Sequence, residues 1–365
     1  MTVRTMDIRA RETFLAGGIA ALLLCYAALT LAVGGVGIAT FVGLFGGYLR
    51  IALTLWMLVA FTSIGVLLWQ RRPARGGIAP SPFLLIAETL RDRWARDRFV
   101  SLLTPPLLFA LLMTSFNLFK QSVLPLAGFG LDPLFADMDR ALFLGTDPWR
   151  VTHAIFASPW ATWGFDKAYH LWFVPMSLGL IICSVLPARF DRVRIRYLLS
   201  YAAIWIGIGS IAAALMPAAG PCFQPESIGQ VSGFAPMVAH LHAQQAWLSE
   251  QMPGAQIAAL QFQAMLIQIH ASGDVTIGGG ISAMPSMHNA LAALFAMTAF
   301  QFNRTAGLAL TGYAALIWIG SIHLGWHYAV DGPVAVAMTY AIWRASAPVA
   351  DWLLSRRQAL RPAAA

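Results

Sequence analysis

Two short polar stretches in an otherwise apolar sequence carry the residue types that catalysis needs. The first contains Ser282, Pro285, Ser286 and His288, directly before a long apolar run. Proline stops the incoming chain and serine is a good N-cap, so we predict a helix that starts here with unpaired backbone amides and a positive dipole end. Such a helix end forms an anion pocket, and His288 in its first turn adds a proton donor.

The second stretch holds His327 and Asp331, again where an apolar run begins. Their spacing of four predicts one shared helical face, on which the carboxylate holds the imidazole in one tautomer and raises its nucleophilicity. An oriented histidine, a second histidine and an anion-binding helix end together favour phosphoryl transfer. A competing interpretation places a metal on His323, His327 and Asp331, but it leaves Ser286 and His288 without a purpose.

The composition decides what kind of fold must position these residues. Hydrophobic residues make up 58% of the 365-residue chain and charged residues 11%, which is outside the range of soluble globular domains. A membrane-spanning helix needs about 20 apolar residues. Eight segments qualify, so we predict an all-α polytopic membrane bundle with a six-helix core. The segments are 14–33, 50–70, 101–119, 165–187, 197–216, 286–303, 306–324 and 331–350.

The positions of the arginines predict the orientation of the bundle. Arginines cluster before the first segment and after the second, fourth and eighth, all on one side, which places both termini in the cytoplasm. Residues 197–303 contain no Lys or Arg, so the loop 217–285 is expected on the external side, together with both polar stretches. The basic charge therefore reflects topology, and nucleic-acid binding is disfavoured. Alanine-rich, lysine-poor usage favours a bacterial inner membrane with a periplasmic site.

The segments between the spans predict three units. Residues 1–100 form a two-helix extension that ends in a basic amphipathic helix at 80–100 on the cytoplasmic surface. Residues 101–350 form the catalytic domain, with a short external helix at 131–143 and an external loop at 217–285, and 351–365 form a basic tail. Helices are expected at 237–251 and 255–270, as a lid or as a tethered cap. Gly278–Gly280 predict a flexible approach to Ser282, and loops are expected to hold His153, His240, His242 and His270.

The two polar stretches resemble the type 2 phosphatidic acid phosphatase superfamily, whose second motif reads SxxPSxH and whose third reads SRxxxxxHxxxD. Ser282, Pro285, Ser286 and His288 match the second motif, and His327 with Asp331 match the end of the third. Within the superfamily the chain is most similar to the inositol phosphorylceramide synthase branch. That similarity lies in residues 324–331, in 216–221, and in Tyr169-His170 followed by Pro175, which implies substrate binding by Tyr169 and His170.

The sequence departs from the superfamily pattern in its cations. Ser321 stands where the third motif has arginine, Gly320 where it has serine, and the first motif, KxxxxxxRP, has no match. Phosphoryl oxygens still need positive charge or donors in the transition state. The candidates on the external side are the only two lysines of the chain, Lys120 and Lys167, together with two arginines, Arg140 and Arg150.

The resemblance implies a mechanism without metal or cofactor. His327 forms a phosphohistidine, Asp331 stabilises its imidazolium, Ser286, Ser282 and nearby amides hold the phosphate, and His288 protonates the leaving alkoxide and then activates the acceptor. A lipid hydroxyl as acceptor makes the protein a phosphotransferase, and water makes it a lipid phosphatase. The implied partners are a phospholipid donor, a lipid alcohol such as ceramide and the bilayer. A lipid-binding or transport protein without turnover is a further alternative, and the oligomeric state stays open.

Overall fold

The computed structural model describes residues 2–70, 98–186, 188–223 and 233–358, together with residues 81, 83, 84 and 87. Helices, turns and loops make up these residues, and no strand occurs among them. Five helical segments in the described part are long and apolar enough to cross a membrane, so the predicted all-α membrane bundle is confirmed. The amphipathic helix predicted at 80–100 falls almost wholly outside the described residues.

Helices cover the predicted apolar segments from the N-terminus onward. They are α1 (Thr2–Gly34), α2 (Ile38–Gln70) and α3 (Arg98–Leu118), which continues through a π-helical turn at Phe119–Val123 into a last turn at Leu124–Ala127. Helix α2 begins well before residue 50, where the sequence predicted its start. Both α1 and α2 pack against α3. Helices α1 and α2 therefore contact the helical segment that leads into the turn with Lys120.

Prolines set the helix boundaries in the next part of the chain. Helices α4 (Asp132–Leu142), α5 (Pro148–Ile155) and α6 (Pro159–Leu171) each have a proline in the first turn, where its missing N–H costs nothing. Helix α4 agrees with the external helix predicted at 131–143. The predicted span 165–187 is split between α6 and α7 (Phe173–Val185). The ring of Pro175 would meet the carbonyl of Leu171 in a continuous helix, which explains the break.

In the C-terminal half the other helices pack around one short helix, Met287–Ala299. Helix α8 (Asp191–Ala203) continues as a π-helix at Ile204–Ala212 and a turn at Ala213–Leu215, and α9 (Ala235–Gln251) and α10 (Ala258–Ser272) follow. Helices α11 (Met287–Ala299), α12 (Arg304–His323) and α13 (Asp331–Gln358) complete the bundle. Helix α11 packs against α8, α12 and α13 and has ten buried residues. Because it is surrounded, its N-terminus opens inside the protein.

The segment that contains α9 and α10 is hydrogen-bonded to the bundle, which favours a tethered cap over a lid. The Asp166 carboxylate accepts hydrogen bonds from the first two amides of α10, at 3.0 and 2.8 Å. The Gln263 amide of α10 donates to the Leu324 carbonyl at 2.9 Å. The glycine loop is also pinned, because Asn117 and Gln121 bond the backbone of residues 276 and 278. The segment predicted as a flexible approach to Ser282 is therefore hydrogen-bonded to α3 and to the π-helical turn that follows it.

Candidate active site

Ser286 starts α11 as the sequence predicted. Its backbone is extended, and its hydroxyl oxygen accepts from the backbone amide of Asn289 at 3.3 Å and from the Asn289 side chain at 3.0 Å. The residue is fully buried. A hydroxyl has one proton to donate besides its acceptor sites, so that proton is left to bind an anion at the helix end. Ser282 lies partly exposed in the segment that leads to this cap.

His327 is held by two oxygens on one side of its ring. Its Nδ1 lies 3.0 Å from Asp331 Oδ2 and 2.8 Å from the carbonyl oxygen of Ala283, and both His327 and Asp331 are buried. Two acceptors at Nδ1 require a proton there, so the lone pair is on Nε2. The Ala283 carbonyl also joins the two polar stretches directly. The arrangement presents Nε2 as a nucleophile beside the N-terminus of α11.

The pair does not share a helix, which corrects the sequence interpretation. His327 lies in an irregular segment that follows α12, and Asp331 is the first residue of α13. The backbone amides of Trp326 and His327 both bond the Ser321 carbonyl, after a left-handed turn at Gly325. Pro333 suits only the first turn of a helix, which fixes the start of α13 near Asp331. A spacing of four brings the side chains together in a turn as well as in a helix.

Two aromatic rings clamp His288. The Tyr169 ring stacks on it at 4.3 Å between centroids and 20° between planes, and the Trp172 ring lies at 4.1 Å on it. The Trp172 indole also donates to the His288 carbonyl at 3.1 Å. The ring centroids of His288 and His327 are 6.2 Å apart. That separation leaves room for a phosphoryl group between a nucleophile and a proton donor.

The structure separates the two candidate lysines. The ammonium of Lys167 lies 3.0 Å from the Asp166 carboxylate and donates to the Gln256 carbonyl at 2.8 Å, so its charge is compensated. Lys120 lies on the π-helical turn and packs against Gly280, in the segment that leads to Ser282. In the described part of the chain Lys120 has no acidic group within 4 Å. Gly280 is required at this contact, because an added Cβ would lie 2.9 Å from Lys120 Cγ.

The two candidate arginines are engaged elsewhere. Arg140 contacts Asp147 at 2.8 Å and Asp137 at 3.1 Å. Arg150 lies 3.5 Å from Asp147 and over the ring of Trp149. Both guanidinium groups, on α4 and α5, are therefore paired with Asp147. Lys120 is the candidate cation that this geometry leaves for the site.

The residue next to Tyr169 connects the site to the cap. His170 Nδ1 lies 2.7 Å from the Asp166 carbonyl and 3.3 Å from its carboxylate. Its ring stacks on Phe262 of α10, with the centroids 5.2 Å apart. His170 thus lies between the α6 backbone and the external cap, whereas Tyr169 faces His288.

Sequence reasoning missed two buried aspartates on α4. Asp132 accepts from the amides of Ala219 and Gly220 at 2.9 and 3.0 Å and from the Tyr328 hydroxyl at 2.8 Å. Asp139 accepts from the amides of Ala329 and Val330 at 2.7 and 3.0 Å. Burial raises the pKa of Asp139 to about 6, against the effect of those two amides. A spacing of seven on a helix was the available signal, because it places both acids on one face.

The segment around Gly220 needs that glycine. Gly220 has φ +106°, and an added Cβ would lie 2.6 Å from the Trp326 carbonyl oxygen. The Cys222 amide bonds the Gly325 carbonyl and the Ala283 amide bonds the Ala218 carbonyl, each at 2.8 Å. The segment 218–222 is thereby laid against both polar stretches, and Asp132 holds it in place.

His323 belongs to a different cluster from His327. Its ring stacks on His153 at 3.9 Å, and its Nε2 lies 2.8 Å from the Thr162 hydroxyl. Hence it does not join His327 and Asp331 in a metal triad, and no group of three metal-ligating residues occurs among the described residues. The four histidines expected in loops lie on helices, and His153 is buried because it packs on His323 and bonds its carbonyl.

A family model matches the part of the chain that contains this site. The model described as the PAP2 superfamily matches residues 134–345, which is more than half of the chain. The chain belongs to the PAP2 superfamily. The matched region includes α4 through most of α13 and contains both polar stretches, whereas α1, α2 and α3 lie outside it. No curated protein and no solved structure matches the chain.

Membership in the PAP2 superfamily accounts for the coarse chemistry of the site. It is consistent with a lipid phosphatase or phosphotransferase in a multi-pass membrane protein, which acts on a lipid substrate. The His327–Asp331 pair and the capped start of α11 are the parts of this site that carry the two superfamily motifs.

Proposed function

We propose that the protein is a membrane phosphotransferase of the inositol phosphorylceramide synthase type. It moves a phosphorylated headgroup, such as phosphoinositol, from a phospholipid to a lipid hydroxyl, such as that of ceramide. The observation that carries this proposal is that Lys120, alone among the four candidate cations, has no acidic partner within 4 Å in the described part of the chain, since Lys167, Arg140 and Arg150 are all paired. A phosphodiester carries one negative charge, whereas a phosphomonoester carries between one and a half and two at neutral pH. The site therefore suits a diester donor.

The proposed reaction has two steps at one phosphorus. His327 Nε2 attacks, the P–N bond forms and the P–O bond to the diacylglycerol breaks, while His288 gives its proton to the leaving oxygen. The acceptor hydroxyl then loses its proton to His288 and attacks, and the P–N bond breaks. Asp331 stabilises the imidazolium of His327 through the 3.0 Å contact at Nδ1.

The remaining residues hold the substrate in this scheme. Ser286 and the amides at the start of α11 bind the phosphoryl oxygens, with Ser282 at the entrance and Lys120 as counter-charge. Tyr169 and His170 form the substrate side of α6. Lys167, which the sequence offered as a second phosphate ligand, anchors the cap in this scheme, because it donates to the Gln256 carbonyl and to the Asp166 carboxylate that caps α10.

The proposed setting is a bacterial inner membrane. With both termini in the cytoplasm, the start of α11 and the cap formed by α9 and α10 face the periplasm. Residues 1–100 then form an N-terminal extension, 101–350 the catalytic domain and 351–365 a basic tail. The absence of Lys and Arg from 197–303 supports this orientation.

Mass spectrometry of the products tests the proposal. Purified protein receives phosphatidylinositol with and without ceramide or diacylglycerol, beside His327→Ala and the matched control His242→Ala, which removes an exposed histidine of α9. Headgroup phosphate on the acceptor, made by the wild type and the control variant and absent with His327→Ala, is the expected result. Hydrolysis products alone would make the protein a phosphatase, and no turnover with any donor would indicate a binding or transport protein.

A further inference from the structure

Tyr169 has a buried hydroxyl without a hydrogen-bond partner among the described residues. The side chain is 3% exposed, and its oxygen contacts no acceptor or donor. Four other tyrosine hydroxyls of the bundle are paired: Tyr26 with Ser210, Tyr201 with the Met176 carbonyl, Tyr313 with the Ala168 carbonyl and Tyr328 with Asp132. A buried hydroxyl without a hydrogen bond destabilises a fold. We therefore expect the Tyr169 hydroxyl to bond a partner outside the chain.

The position of this hydroxyl points to the reaction centre. The Tyr169 ring stacks on the catalytic candidate His288, and it lies parallel to the ring of Trp326, with 6.3 Å between centroids and 6° between planes. Trp326 directly precedes His327, and its indole N–H is also buried without a partner in the described part. The Tyr169 hydroxyl and the Trp326 indole N–H are thus two donors without a partner, on parallel rings next to His288 and His327.

We propose that Tyr169 is a catalytic residue whose hydroxyl donates a hydrogen bond to a phosphoryl oxygen of the substrate. The inference rests on the proposed function, because it needs a phosphoryl group between His288 and His327. Negative charge grows on these oxygens in the transition state, and a fixed donor in a water-poor site stabilises it without reorganisation. A neutral donor adds no positive charge, so together with Lys120 it matches a singly charged diester.

The stack with His288 fixes where the hydroxyl oxygen of Tyr169 lies. A phenol ring held face to face with an imidazole cannot rotate its hydroxyl away without breaking the 4.3 Å contact. The ring also contributes to holding His288, so removal of the whole side chain would change two functions together. A substitution that keeps the ring and removes only the oxygen separates them.

The experiment compares Tyr169→Phe with Tyr313→Phe in the full-length purified protein. We expect kcat of Tyr169→Phe to fall about 100-fold, as when one oxyanion donor is removed, with little change in KM. Its melting temperature should stay the same or rise, because the lost hydroxyl had no partner. Tyr313→Phe loses the 3.0 Å bond to Ala168 and should show the reverse, a lower melting temperature with retained kcat.

Two outcomes overturn the proposal separately from the proposed function. If the wild type transfers a headgroup and Tyr169→Phe keeps its kcat, Tyr169 is not a donor although the function stands. If the wild type turns over no phospholipid, the proposed function fails and binding of orthovanadate, a phosphoryl analogue, becomes the test. Weaker vanadate binding by Tyr169→Phe than by the wild type supports the donor. Equal binding, or no binding to the wild type, contradicts it.

Discussion

Asp139→Asn tests whether helix α4 sets the geometry of the proposed catalytic pair, His327 and Asp331. Asp139 bonds the amides of Ala329 and Val330, the two residues before Asp331, and is 4% exposed. An asparagine of the same shape retains one acceptor but turns its NH2 group toward the other amide. The segment 329–330, which leads into Asp331, then loses one of its two hydrogen bonds to residue 139.

The cost in stability can be worked out from the pKa of Asp139. Burial raises that pKa from 3.8 to about 6, with smaller contributions from the charges of Asp331 and Asp147. At 1.36 kcal/mol per unit, ionised Asp139 is disfavoured by about 3 kcal/mol, a cost that asparagine avoids. The unpaired amide costs about 1–3 kcal/mol in return. The free energy of unfolding at pH 7 should therefore change by no more than about 2 kcal/mol.

The effects on activity and on pH dependence are larger. A displaced peptide moves the Asp331 carboxylate relative to His327, and a misplacement of about 1 Å lowers kcat by up to 100-fold. Between pH 3.8 and about 6 the native protein binds more protons at Asp139 than the unfolded chain does. Its free energy of unfolding therefore decreases as pH rises through this window, and Asp139→Asn removes that contribution.

The assay combines kcat from product mass spectrometry with denaturation in detergent across pH 4 to 7. Asp137→Asn is the matched control, because Asp137 lies on the same helix, contacts Arg140 and has a side chain that is 74% exposed. It should retain kcat and the pH slope. The reasoning is refuted if Asp139→Asn shows the kcat of the wild type together with an unchanged slope.

Three further predictions address the site itself. His288→Ala should keep reacting with a p-nitrophenyl phosphodiester, whose leaving group needs no acid, whereas His327→Ala should lose all substrates; equal loss in both would contradict the division of roles. Lys120→Met should lower kcat/KM about 10- to 100-fold, while Lys167→Met should keep it and melt earlier, and the reverse order would restore Lys167 as the phosphate ligand. Gly280→Ala should destabilise the protein by about 1–3 kcal/mol in denaturation, because its φ of +89° is left-handed, and unchanged stability would show that the loop yields.

The fold was largely predictable because its signals are local. Apolar runs of sufficient length and the serine cap before α11 depend on neighbouring residues, and helices cover the predicted runs, with α11 starting where it was expected. The break between α6 and α7 followed an equally local signal, Pro175, which the prediction of a single span overlooked. Local chemistry therefore sufficed for the elements.

The site was predictable only in part because its partners are distant in sequence. Lys167 and Lys120 look alike in the sequence, and they differ because Gln256 and Asp166 surround only one of them. The clamp on His288 comes from Tyr169 and Trp172, far before it in the chain. No periodicity encodes such contacts, so the choice between candidate ligands required the tertiary structure.

The buried aspartates show how backbone amides near the site find hydrogen-bond acceptors. Backbone amides outside helices must find acceptors when water is excluded, and a carboxylate offers several acceptor sites without adding a donor. Asp132, Asp139 and Asp166 each bond two successive amides, at residues 219–220, 329–330 and 258–259. Because the amide dipoles compensate these charges, they oppose an anionic substrate less than free carboxylates would. The acids can thus order the surroundings of His327 while Lys120 and the start of α11 keep the phosphate side of the site positive.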